Sequence, residues 1–328
     1  IDDETGIIDV AVSPKNFNVQ YAASWSKDRK AWDFIGSGAT SGIYKSEDAG
    51  LTWKLFTTAE SGFPVGEGVG RIGLAVYDDA TVYAVLDNQF KRPLESKKSN
   101  SLPIAFSVPG DEFLKIPNKS LNSILKNYGL TEKYRAENIK HWIQNGYLQP
   151  NEAAKVVLEA INSLAEKEVI GAEVYKSSNG GKNWTKTHPG FIDDFFYSYG
   201  YYFSVLSVDP NDVNKIYLSG VPIIKSNDGG KTFTSISEDN VHADHHVVWV
   251  NPNKSGHLIN GDDGGLNISY DDGAHWFKGN SHGVSQFYAV NVDEQEPYNI
   301  YGGMQDNGVW VGPSNYNYSS EWYQTGKY

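Results

Sequence analysis

Ser226-Asn227-Asp228-Gly229-Gly230-Lys231-Thr232-Phe233 decides the fold, because three other segments repeat it. They run from Ser46 to Trp53, from Ser177 to Trp184 and from Ser269 to Trp276, and the shared pattern is S-x-D-x-G-x-T-W. Ser and Asp side chains can hold nearby backbone N–H groups in a tight loop, and Gly supplies a positive φ. A structural turn is therefore expected at Ser46, Asp48, Gly50 and Trp53, and at Ser177, Asn179, Gly181 and Trp184. It recurs at Ser226, Asp228, Gly230 and Phe233, and at Ser269, Asp271, Gly273 and Trp276. The closing aromatic is expected to pack between neighbouring sheets.

The last three copies start 49 and 43 residues apart, the period of a four-stranded propeller blade. Two strand-like runs precede each turn, with alternating β-branched and aromatic residues. The inner runs are Ile8 to Pro14, Ser204 to Pro210, Val247 to Pro252 and Ala289 to Asp293. Their partners are Val19 to Ala23, Lys215 to Leu218, His257 to Asn260 and Asn299 to Gly302. A fifth pair, Arg71 to Val76 and Thr81 to Val85, has its turn displaced by a stretch of helical spacing. Helices are expected over 121–128, 136–144 and 152–168. The organisation is thus propeller blades over 1–89, a helical insertion over 90–170 and further blades over 171–328. Four full blades and a begun fifth suggest an excerpt of a larger ring, closed by sequence outside it or by another chain.

The repeated turn resembles the Asp-box, or BNR repeat, of sialidase-like, sortilin-like and xyloglucanase-like β-propellers. The runs 241–246 (VHADHH), 260–265 (NGDDGG) and 301–308 (YGGMQDNG) look like the sortilin-like, BNR-repeat proteins of secreted bacterial type, often labelled glycosyl hydrolases by similarity. That resemblance implies an all-β propeller in a secreted or cell-surface, bacterial, extracytoplasmic setting.

Composition narrows the function. Among 328 residues, 28 basic and 40 acidic side chains leave a net charge of −12, the wrong sign for wrapping nucleic acid. Cysteine is absent, which excludes disulfides and thiolate metal sites. No apolar run is long enough for a transmembrane helix. In a four-stranded blade the repeated turns share one end, and the unusual residues fall at the other. Asp87, Asp262, Asp263 and Asp306 open the connections between second and third strands. Tyr199, Tyr202, His242, Asp244, His245, His246, Gln286 and Tyr288 lie on the connections between blades, and Arg71 opens an inner strand. Rings for stacking beside polar groups for orientation are how sugar sites are commonly built.

A glycan or an extended peptide is therefore the expected ligand, with the helical insertion as the surface for a protein partner. An inverting glycoside hydrolase is the alternative: two carboxylates would work as acid and base. The run Asp262-Asp263-Gly264-Gly265 resembles a strand-end motif of xyloglucan-degrading propellers, which implies Asp262 as one catalytic carboxylate, with Asp306 or Asp87 as partner. A structural subunit of a cell-surface complex is a further alternative. A sialidase is excluded, since Arg29, Arg71, Arg92 and Arg135 cannot assemble a three-arginine clamp. His242, Asp244, His245 and His246 have metal-ligand character, yet His245 and His246 would point to opposite faces of a strand, and no ligand recurs at the repeat positions. No metal and no cofactor are assigned.

Overall fold

The computed structural model describes residues 2–93, 110–128, 130, 132–238, 240–279, 286–305 and 308–315. They form two compact units, Ile1–Lys278 and Gly279–Tyr328. The first strand pair is β1 (Thr5–Val12) and β2 (Gln20–Ser26), followed by a small hairpin of β3 (Asp28–Arg29) and β4 (Phe34–Ile35). β5 (Gly42–Ser46) and β6 (Lys54–Leu55) complete the first sheet, in the order β1-β2-β5-β6. The second sheet joins β7 (Val69–Val76), β8 (Val82–Lys91), β9 (Val169–Ser177) and β10 (Thr185–Lys186). The third uses β11 (Val205–Asp209), β12 (Asp212–Ser219), β13 (Ile223–Ser226) and β14 (Thr234–Ser235). The fourth uses β15 (His245–Val250), β16 (Leu258–Asp262), β17 (Gly265–Ser269) and β18 (Phe277–Lys278). The second unit holds a three-stranded sheet of β19 (Phe287–Val292), β20 (Asn299–Met304) and β21 (Val309–Pro313).

Every pairing within these sheets is antiparallel, and each sheet is a meander in chain order. The sheets of the first unit stack face to face in sequence, which makes them blades of a β-propeller. Strand alternation explains the stacking. On β8, Val82, Ala84 and Leu86 enter a core shared with Tyr21, Ala23 and Ile43 of the first sheet. Tyr83 and Val85 point the other way, into a core with Leu206, Ile216 and Leu218 of the third. A third core, built on Tyr217, Ile223, Val248, Leu258 and Trp276, joins the third sheet to the fourth. Each wholly buried aliphatic side chain contributes about 1.5–3 kcal/mol.

The displaced turn of the second sheet has a simple cause. Between β8 and β9 the chain makes α1 (Gly110–Lys115), α2 (Asn118–Asn127), α3 (Ala136–Gln144) and α4 (Pro150–Lys167). Apolar residues at helical spacing give the helices a core of their own, including Phe113, Leu121, Leu125, Ile139 and Val157.

The four repeated turns share one hydrogen-bond pattern. In the third sheet Ser226 Oγ donates to Asp228 Oδ1 (2.7 Å) and accepts the Gly230 N–H (2.8 Å), while Asp228 accepts the Thr232 N–H (3.0 Å) and hydroxyl (2.6 Å). Two consecutive residues take positive φ in each turn: Ala49 and Gly50, Gly180 and Gly181, Gly229 and Gly230, Asp272 and Gly273. Donors around Asp48, Asp228 and Asp271 pull all three carboxyls down to about 2. Folded pKa values below the unfolded ones mean that this stabilisation is present above the ordinary carboxylate range and disappears as pH falls through about 2. Ser226 is buried and serves both as donor and acceptor. Ser226→Ala is therefore expected to lower the unfolding free energy by about 1–3 kcal/mol, read from urea denaturation.

The closing aromatics differ. Trp184 and Trp276 are buried against the preceding sheet, whereas Trp53 is 37% exposed. Trp53 belongs to the first sheet, and no earlier sheet exists among the described residues for it to pack on.

Candidate functional site

In a four-stranded antiparallel meander the first and third turns lie at one end and the middle connection at the other. The repeated turns therefore mark one end of the stack, and the hairpin β3–β4, the insertion and Asp262 to Gly265 mark the other. At that second end the inner strands are irregular. The pairing of β7 with β8 slips between Val69 and Ile72, and that of β15 with β16 between His245 and Val247. The residues left over in these bulges are Gly70 with Arg71, and His246. A bulge re-aims its side chain, so the irregular register is what delivers an arginine and an imidazole to this surface.

Arg71 reaches the connection into the third sheet, where its Nη1 donates to the carbonyls of Tyr202 (2.7 Å) and Tyr201 (3.3 Å). That connection is a tight coil, with Tyr197 and Ser204 at positive φ and the Phe203 N–H donating to the Tyr199 carbonyl. It seats closely because both sides of the contact carry glycine, Gly73 on β7 and Gly200 in the coil itself. A Cβ on Gly73 would sit 2.0 Å from the Ser204 carbonyl oxygen, and one on Gly200 would sit 2.2 Å from Asp87 Oδ1.

The coil presents a row of rings. Tyr201 packs on Phe34 of the β3–β4 hairpin with centroids 4.7 Å apart, and the hairpin is tied down by Trp25 Nε1 donating to the Gly36 carbonyl (2.8 Å). Tyr199 and Tyr202 flank Tyr201 at 6.4 and 6.3 Å, each about half exposed. Tyr202 then meets His246 edge-on at 5.5 Å, and His246 Nε2 bonds Asp263 Oδ1 at 2.6 Å. The row thus crosses from the first sheet to the fourth and ends in a solvent-facing imidazole–carboxylate pair.

Under this ledge lies Asp87, buried and accepting the Gln89 amide at 2.7 Å. Burial pushes its carboxyl up to about 6, with the Gln89 amide and the nearby Arg71 charge opposing that rise. The folded state therefore holds a proton that the unfolded chain releases near 4, so this group's contribution is greatest below pH 4 and is lost as pH rises through about 6. His245 acts in the opposite sense. It is fully buried, and burial lowers its imidazole to about 4, so stability grows as pH rises from about 4 to 6.5. Asp87→Asn is expected to be more stable than the parent at pH 7 by about 1–3 kcal/mol. With one opposing titration removed, its stability relative to the parent should also rise from pH 4 to 6.5, as urea melts at several pH values will read.

The remaining sequence-predicted residues occupy distinct places. His245 points inward and His246 outward. The Asn260 amide donates to Asp262, which leaves Asn260 Oδ1 to accept from His245 Nδ1 at 3.1 Å. The Asp262 side chain has no exposed surface: Oδ2 accepts the Asn260 (3.0 Å) and Asn267 (2.6 Å) amides, and Oδ1 accepts the Gly264 N–H (2.9 Å). Burial raises its pKa against those donors. Asp244, at φ 66°, shapes the turn into β15, and its carbonyl accepts the Asp263 N–H. His242 is exposed, its ring bonded to the Ala243 carbonyl. Asp306 lies outside the described residues, so the proposed pairing of Asp262 with Asp306 has no geometry here. Gln286 and Tyr288 belong to the second unit, where the Gln286 carbonyl accepts the Gln305 N–H and Tyr288 is exposed. Among the described residues no cluster of three or more His, Cys, Asp or Glu could hold a metal ion, and no helix is long and apolar enough to cross a membrane.

Phe34, Tyr201 and Arg92 were not among the sequence-predicted site residues, although Tyr201 lies in the aromatic run 191–202 that the sequence placed at this end. Arg92 donates to the Val169 and Ile170 carbonyls, pairs with Glu168 and Asp193, and lies 4.1 Å over the Phe191 ring. It ties the root of the helical insertion to the coil that carries the tyrosines.

No family model and no curated protein matches the chain. Among solved structures it is similar to the GH74 xyloglucanase from Xanthomonas campestris, with 12% identity and a TM-score of 0.43 over 93% of this chain and 35% of that one. It is similar to the Niastella koreensis GH74 enzyme at 14% identity and a TM-score of 0.43, over 94% and 35%. It is also similar to YCF48 bound to D1 peptide, at 8% identity and a TM-score of 0.40, over 94% and 66%. All three are β-propeller folds. The chain spans about a third of the length of the GH74 enzymes it matches.

Proposed function

We propose that this chain is a glycan-binding propeller of the Asp-box type, working outside the cytoplasm, and that its site is the aromatic ledge at the end opposite the repeated turns. The observation that carries the reading is the continuous row Phe34, Tyr201, Tyr202 and His246, seated on Arg71 and closed by Asp263. The half-exposed faces of Tyr199 and Tyr202 would stack on sugar rings, and the His246–Asp263 pair would orient hydroxyls.

The hydrolytic alternative asks two carboxylates to reach one glycosidic bond. Asp262 is wholly covered and holds three N–H donors, and Asp87 lies beneath Gly200, which favours recognition over cleavage. An extended peptide remains the competing ligand class.

The test is isothermal titration with xyloglucan and other soluble β-glucans and with a random-sequence peptide pool, run beside a reducing-sugar assay. Saturable glycan binding that weakens at least tenfold in Tyr202→Ala, without sugar release, is the expected result. Sugar release abolished by Asp262→Asn in a folded protein would overturn it in favour of the hydrolase. Binding confined to peptides would overturn the glycan assignment.

A further inference from the structure

Three sheets repeat a tyrosine–lysine pair that the sequence pattern alone does not reveal. Tyr21 lies opposite Lys45 in the first sheet, Tyr83 opposite Lys176 in the second and Tyr217 opposite Lys225 in the third. In two of them a carboxylate neutralises the lysine. Lys45 pairs with Glu47 of its own turn at 2.9 Å. Lys225 pairs at 2.8 Å with Asp272, from the turn of the following sheet, and Asp272 also accepts the Tyr217 hydroxyl.

The middle sheet has neither carboxylate. Ser178 stands where the first turn has Glu47, and Gly229 stands where the fourth turn has Asp272. The equivalence is geometric as well as sequential, because a Cβ on Gly229 would lie 3.3 Å from the Tyr83 hydroxyl and 3.9 Å from Lys176 Nζ. Among the described residues no carboxylate pairs with Lys176, whose ammonium sits 5.0 Å over the Tyr83 ring. At this place a cleft of about 490 Å³ opens between the second and third sheets, lined by Lys176, Lys186, Lys231, Asn179, Asn183 and Asn214. Lys186 is paired with Glu173, and the one carboxylate of the lining, Asp228, is occupied by Ser226 and Thr232. In a chain of net charge −12, two ammonium groups with no carboxylate partner among the described residues, those of Lys176 and Lys231, face one polar cleft.

We propose that this cleft binds a small ligand bearing an oxyanion, its carboxylate, sulfate or phosphate group lying beside Lys176 as Asp272 lies beside Lys225. The site is separate from the aromatic ledge, since the repeated turns that line it mark the opposite end of the stack. Two ammonium groups and neighbouring amides supply the charge-assisted donors such a group needs.

The repeat also provides its own test. Gly229→Asp installs the carboxylate of the next sheet at a position whose counterpart, Asp272, already holds an aspartate at φ 65°. Calorimetric titrations with inorganic phosphate, glucuronate and glucose 6-sulfate separate a bare anion from a sugar-borne carboxylate or sulfate. Saturable binding of at least one probe is expected, weakened at least tenfold in Gly229→Asp, whose melting temperature should be no lower than the parent's, and likewise in Lys176→Met. No saturable binding of any of the three, or binding unchanged in both variants, would overturn the proposal.

Discussion

Gly73→Ala is expected to cost about 3 kcal/mol or more, a large fraction of the roughly 5–15 kcal/mol that holds an ordinary domain folded. The added methyl would stand 2.0 Å from the carbonyl oxygen of Ser204. That neighbour is backbone, held by a residue at φ 46° whose own hydroxyl is bonded to the Gly200 carbonyl, so it cannot yield as a side-chain tip would. Relief requires β7 and the tyrosine coil to move apart, which also removes the seat of the ledge. Gly6 is the control, because a Cβ there meets nothing within 4 Å. Gly6→Ala should change stability by no more than about 0.5 kcal/mol. Urea melts of both variants decide it, and a mild effect at Gly73 would mean that the coil is not packed on β7 as described.

Trp184→Ala should cost about 3–5 kcal/mol, whereas Trp53→Ala at the matching turn position should cost roughly 1 kcal/mol. The motif is the same and the surroundings differ. Trp184 is 3% exposed, stands edge-on to Phe63 at 5.6 Å and hands its backbone N–H to the Ser61 carbonyl. Trp53 is 37% exposed and meets no neighbouring sheet of this kind among the described residues. Trp184→Phe should recover most of the loss, since the Trp184 Nε1 has no hydrogen-bond partner among the described residues. Trp276→Phe should recover less, because Trp276 Nε1 donates to the Ile236 carbonyl at 2.8 Å and that acceptor would be left bare. Thermal melts of the set separate packing from hydrogen bonding.

The all-β propeller class and its helical insertion were legible because both rest on periodicity. Turn residues recur at one spacing, strands alternate at period two, and the helices interrupt with apolar residues three and four apart. The site was legible only in its residue types. Nothing in a run such as Gly70 to Ile72 announces a bulge, and the bulges are what aim Arg71 and His246. Phe34 was passed over because its partner, Tyr201, is far away in sequence, and a hairpin of two-residue strands carries no pattern. The run Asp262 to Gly265 reads alike whether its carboxylate faces solvent or accepts the Asn260 and Asn267 amides. Only the positions of those two asparagines on neighbouring strands decide that it is covered.

Ligand contacts are expected on the aromatic ledge and not on the ends of the sheets that carry the repeated turns. Hydrogen exchange of the whole chain, with and without a saturating β-glucan oligosaccharide, tests it most directly. New protection is expected in three separate segments at once, 28–36, 197–203 and 245–247, with the turns beginning at Ser46, Ser177, Ser226 and Ser269 unchanged. Protection at those turns, with the three ledge segments unaltered, would contradict it.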